Sequence, residues 1–112
     1  MYINKSQKYD KLIRDKIPEI IESKGNKAVI EISDNEKLKE YLNNKLVEEL
    51  EEYQESGSVE ELADIVEVIY AILDYNNISI EQFERLRNVK SSERGAFKKG
   101  LILKEVIVYN ED

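Results

Sequence analysis

Between residues 38 and 53, Leu38, Leu42, Leu46, Leu50 and Tyr53 recur at intervals of three and four. That spacing gathers apolar side chains on one side of a helix. The helix is expected over about 34–55, opened by the S-x-x-E box of Ser33 and Glu36 and stopped at Ser56-Gly57. A second S-x-x-E box, Ser58 and Glu61, opens a helix over about 59–75 that Asn76-Asn77 breaks. Residues 10–24 read as an earlier helix, with Asp15 as N-cap, Pro18 in the first turn and Gly25 at the end. Ser79 and Gln82 start a last helix over about 80–92. KAVIEIS (27–33) and LILKEVIVY (101–109) are rich in β-branched residues and read as two short strands that could pair. The fold class is therefore mainly α, one domain over 1–112, with antiparallel helices forming a four-helix-bundle-type core and two short β-strands.

The polar positions carry the more specific information. Nine of the 26 residues from 45 to 70 are carboxylates. A helix turns about 100° per residue, so their directions can be computed. With Leu38 at zero, the apolar face of the long helix runs from ~300° (Tyr41) through ~40° (Leu42) to ~120° (Leu50). Glu49 falls near ~20° and Glu52 near ~320°, inside that face, while Glu48 (~280°) and Glu51 (~220°) lie at its edge or outside. With Glu61 at zero on the next helix, Val68, Ile72 and Ile65 fall between ~340° and ~40°, and Asp64 falls near ~300°, beside Val68. Two carboxylates on each of two consecutive helices thus point inward at i, i+3 spacing. A short loop makes the helices antiparallel neighbours. Four unpaired buried carboxylates are very costly, and a divalent cation removes that cost. The plainer alternative is that Glu runs are solvated helix faces, with Glu61 serving its capping box and Glu52 paired to a nearby Lys.

Composition narrows the chemistry. The chain has 112 residues, 41% of them apolar, no Cys and no His. Disulfides, thiolate metal sites and the commonest general base are excluded. Acid–base or metal chemistry must run on carboxylates, Lys, Tyr or water, which points to hard cations. No apolar run reaches membrane-spanning length and no signal-peptide pattern opens the chain, so the expected location is cytoplasmic. The net charge of −7 is uneven: +3 over residues 1–30, −13 over 31–84 and +3 over 85–112. An acidic middle between basic ends does not suit a nucleic-acid polymer. It suits an anionic substrate that arrives with a cation.

At these residues the chain resembles a known family. Glu48-Glu49-x-x-Glu52 followed by Glu61-x-x-Asp64 is similar to the EExxE…ExxD signature of the MazG-like all-α nucleotide pyrophosphohydrolases. The closer likeness is to the small phosphoribosyl-ATP pyrophosphatase-like proteins. It rests also on KLIRDKIPEII (11–21), ELADIVEVIYAI (61–72) and ERGAFKKG (93–100), in order over most of the chain. Two features depart from the pattern. Only eight residues separate the acidic motifs, and no His follows the ExxD. The second argues against the histidine-biosynthetic reaction.

The resemblance implies that Glu49, Glu52, Glu61 and Asp64 ligate Mg²⁺, or Mn²⁺, one or more ions per site. Glu48 matches the first Glu of the motif and would be an additional or outer contact. It implies hydrolysis of the α–β phosphoanhydride of a nucleotide to a monophosphate and pyrophosphate, a nucleotide-pool house-cleaning role, with Glu49 or Glu52 orienting or deprotonating the attacking water. Arg14, Lys16, Arg94 and Lys98 are the candidate phosphate-binding cations, against the plainer reading of surface charges. Arg14 has a third reading, a structural pair with an acidic residue. Val66, Leu62 and Leu73 extend the apolar face of the third helix past what one partner helix covers, so a homodimer or homotetramer is expected. Two alternatives remain. One is a non-catalytic helical module of the same fold that binds a nucleotide or a protein. The other is the phosphoribosyl-ATP pyrophosphatase reaction itself.

Overall fold

The structure is a computed structural model, and it describes residues 5–110. It contains four helices: α1 (Ile17–Ser23), α2 (Asn35–Ser56), α3 (Val59–Tyr75) and α4 (Ile80–Arg94). The chain divides into two compact units, Met1–Ile78 and Ser79–Asp112.

In the first unit α2 and α3 pack together as a hairpin. The turn is short because Gly57 adopts a left-handed conformation (φ 66°) and its N–H donates to Tyr53 O at 2.7 Å. That is the C-terminal cap a glycine provides at little steric cost. Ser58 then caps α3, its hydroxyl accepting from Glu60 N at 3.2 Å. At the far end the Tyr75 hydroxyl donates to Asn35 O at 2.9 Å, so the end of α3 meets the start of α2. The two helices therefore run antiparallel along their length. Leu42, Val68 and Leu73 form the small buried apolar core.

Residues 10–16 cross this hairpin without regular structure and are tied to it by side chains. The Tyr41 hydroxyl donates to Asp10 at 2.7 Å, Lys11 pairs with Glu48 at 3.0 Å, and Arg14 pairs with Asp64 at 2.6 Å. The helix that follows is shorter than the sequence pattern predicts. It begins at Ile17 with Lys16, not Asp15, at the N-cap position. Pro18 lacks an N–H and is tolerated in the first turn, which anchors the start there.

Two further expectations are corrected. The cap of α2 is Asp34, whose carboxylate accepts from Lys37 N at 2.8 Å, while the Ser33 hydroxyl donates to Asp34 O instead. No strand forms among the described residues: 27–33 and 101–109 carry no regular structure. A strand is stable only when its backbone groups have a ladder partner. Val29 and Ile32 are almost fully exposed, and the apolar side chains of 101–109 are largely exposed. In the second unit α4 starts with a complete capping box between Ser79 and Gln82 and ends at Arg94, with Gly95 (φ 83°) as its cap.

Candidate metal centre

Glu49 sits two turns before the end of α2, and Glu61 and Asp64 sit in the first two turns of α3. The hairpin brings these turns together, and one carboxylate oxygen from each lies within 4.8 Å of the others. Two oxygens bound to one Mg²⁺ or Ca²⁺ are at most about 4–5 Å apart. The group is thus close enough to share a cation. Its all-oxygen donor set suits a hard one.

Glu49 is the innermost member and is buried. Lys45, one turn earlier on α2, approaches its Oε1 at 3.3 Å and also Glu48 Oε2 at 3.1 Å. Oε2 of Glu49 is buried with no hydrogen-bond partner. A buried carboxylate oxygen without a donor is costly, and a metal ion bound there would relieve that cost. The residues present therefore fit a divalent cation.

The charges respond to this crowding. Burial is the main cause that pushes the Glu49 carboxyl above its ordinary range; Lys45 opposes it and the neighbouring Glu52 adds to it. Glu61 is raised as well, by loss of water and then by Asp64 and Glu49. Burial also pushes Glu48 upward, but Lys11 and Lys45 outweigh it and hold Glu48 below the ordinary range. Carboxylates crowded in this way disfavour their own negative charge, which a cation placed among them would offset.

Of the four carboxylates singled out by the angular pattern, the structure gathers Glu49, Glu61 and Asp64. Glu52 is exposed and stands outside that tight group, though close enough to bear on both Glu49 and Glu61. Glu61 is not needed for the Ser58 cap, because the hydroxyl serves Glu60 N. Arg14 reaches the group through Asp64. Lys16 is exposed at the N-cap of α1. Arg94 and Lys98 are exposed and belong to the second unit.

An open cleft of about 530 Å³ runs beside the carboxylates. Its lining includes Leu12, Ile13, Arg14, Glu49, Asp64 and Tyr70. Tyr70 is among the side chains that line this cleft. Lys45 also lines the cleft, and it is a cation at the carboxylate group that the apolar pattern alone does not single out. Its direction on α2, near ~340° from Leu38, places it on the inward face, and its i+3 and i+4 neighbours are Glu48 and Glu49. No family model, curated protein or solved structure matches the chain.

Proposed function

We infer that this protein is a metal-dependent nucleotide pyrophosphohydrolase of the MazG-like kind, cleaving an α–β phosphoanhydride to a monophosphate and pyrophosphate. Two observations on one residue carry this reading: a carboxylate oxygen of Glu49 lies within 4.8 Å of carboxylate oxygens from Glu61 and Asp64, and its Oε2 is buried without a hydrogen-bond partner. The ordered EExxE…ExxD pattern supports it from the sequence side.

Glu49, Glu61 and Asp64 would hold the ion, Mg²⁺ or Mn²⁺. Such an ion, when bound, supplies neutralisation of phosphate oxygens and a water of lowered pKa. Glu52 is the carboxylate left outside the tight group. Its oxygens are the ones free to orient that water and accept its proton. Lys45 holds Glu49 in place and offsets its charge. The resemblance, and not the geometry, is what offers Lys16, Arg94 and Lys98 as substrate-phosphate contacts. The cleft beside the site gives a nucleotide room to lie against Leu12, Ile13 and Tyr70. No helix among the described residues is long and apolar enough to cross a membrane, and the reading requires none.

The assembly is taken to be a homodimer at least, in which a second hairpin completes a four-helix bundle. The support is the size of the core. Among the described residues only Leu42, Val68 and Leu73 are buried apolar residues, while Val47, Leu50, Leu62 and Val66 remain 53%, 44%, 41% and 41% exposed on α2 and α3.

The test is pyrophosphate release from a panel of canonical and modified nucleoside triphosphates, with Mg²⁺ and with EDTA, for wild type and Glu49→Gln. Release that needs metal and disappears in Glu49→Gln is expected. No release from any nucleotide, phosphoribosyl-ATP included, would leave a non-catalytic binding module as the better reading.

A further inference from the structure

The geometry points to Arg14 as a built-in counter-cation of the carboxylate site, one that competes with the divalent ion for Asp64 and passes to a phosphate when the ion binds. This rests on the metal-site reading above and adds a coupling between metal and anion.

Two cations touch the three-carboxylate group, and they are held differently. Lys45 projects from within α2, and its side chain is 14% exposed, so its position is set by the helix. Arg14 projects from the irregular segment before α1, and its side chain is 54% exposed. The guanidinium can leave Asp64 without breaking a helical turn. Its bond to Asp64 is short and charge-assisted, 2.6 Å from Nη2 to Oδ1. The buried Glu49 Oε2 has no donor at all. Two cations therefore face three carboxylates, one of the two cations is removable, and one carboxylate oxygen is left without a partner.

A divalent ion on Glu49, Glu61 and Asp64 brings two positive charges next to the guanidinium. Repulsion and competition for Asp64 both favour its release. A released guanidinium offers planar paired donors that match a phosphate. Arg14 lines the same cleft as the carboxylates, so it is released within reach of what that cleft holds. By linkage, an anion that takes Arg14 away from Asp64 strengthens metal binding, and the metal strengthens anion binding by the same factor.

The test measures Mn²⁺ affinity of the full chain by electron paramagnetic resonance for wild type, Arg14→Gln, Arg14→Lys and Lys11→Gln. Lys11→Gln removes the same charge from the same stretch, but from Glu48 rather than Asp64. Arg14→Gln is expected to bind Mn²⁺ about fivefold more tightly than wild type, the scale of one exposed ion pair lost as a competitor. Lys11→Gln should change little, and Arg14→Lys should stay near wild type. Weaker binding by Arg14→Gln would overturn the proposal, because Arg14 would then be orienting Asp64 for the metal. Equal tightening by Lys11→Gln would also overturn it, as a general charge effect, and so would a wild type that binds no Mn²⁺. Inorganic pyrophosphate titrated calorimetrically into the Mn²⁺-loaded proteins should bind about fivefold more weakly to Arg14→Gln. Equal binding would overturn the transfer to phosphate. Failure of the hydrolase reading looks different: wild type would bind Mn²⁺ yet release no pyrophosphate from any nucleotide, and the Mn²⁺ comparison would still decide the role of Arg14.

Discussion

The Lys45 ammonium stands 3.3 Å from Glu49 Oε1, one helical turn away on α2, and the two side chains are only 14% and 9% exposed. This pair is the electrostatic foundation of the site. It places a carboxylate in the interior that the core would otherwise exclude, and it leaves the second oxygen of that carboxylate free. Removing the lysine should therefore cost more than a surface ion pair. Lys45→Met is expected to lower stability by about 2–3 kcal/mol in EDTA, because a buried charge loses its partner. Urea unfolding of both proteins checks it. A loss below about 0.5 kcal/mol would mean that Glu49 does not depend on Lys45.

Glu49→Gln should behave in the opposite way without metal. Gln keeps an acceptor for Lys45 and removes the charge that burial opposes. Thermal unfolding in EDTA is expected to show a melting temperature equal to wild type or above it. Added Mg²⁺ should raise the melting temperature of wild type and leave the variant unchanged. A variant that still gains from Mg²⁺ would move the site away from Glu49.

The raised carboxyl groups set a pH dependence. For Glu49 and Glu61 the folded protein holds its protons above the ordinary value of 4.5. Between that value and the raised one the folded state binds more protons than the unfolded state, so stability falls as pH rises. Glu48 works the other way. Its pairing with Lys11 and Lys45 contributes above 4.5 and is lost as pH falls through its lowered value. Unfolding free energies from pH 4.5 upward, in EDTA, for wild type and Glu49→Gln isolate the first effect. The wild type is expected to lose stability relative to the variant across that window. Mg²⁺ should abolish the difference in slope.

The hairpin turn offers a test of the scaffold alone. A Cβ at Gly57 meets nothing within 4 Å, so a side chain there has space. Its φ of 66° is the whole cost. Gly57→Ala is expected to destabilise by about 1 kcal/mol, read by urea unfolding, with Mn²⁺ affinity of the folded protein unchanged. A large loss of Mn²⁺ affinity would mean that the turn also sets the spacing of Glu49 against Glu61 and Asp64.

Much of this arrangement is written locally. Three- and four-residue apolar spacing, the serines before α3 and α4, and Gly57 after α2 determine where the long helices begin and end, because caps and periodicity act over a single turn. The same periodicity places Glu49, Glu61 and Asp64 inward, since direction on a helix follows from residue number. It placed Lys45 inward as well, and that signal is legible once charged residues are plotted with the apolar ones. Other features are decided by contacts between distant residues, which local pattern does not contain. Strand-like alternation at 27–33 and 101–109 found no ladder partner, because pairing is a tertiary event and propensity alone does not supply it. Leu73, placed by periodicity past what one partner helix covers, is buried, where the chain turns back and Ile78 N–H donates to Leu73 O at 2.9 Å. Glu52 faces the same side as Glu49 by periodicity yet stays exposed. Above all, the ion pair of Arg14 with Asp64, 50 residues apart, follows from the path of residues 10–16 across the hairpin. The sequence by itself determined the helices and the direction of their acids. Only the tertiary structure decided which cations meet them.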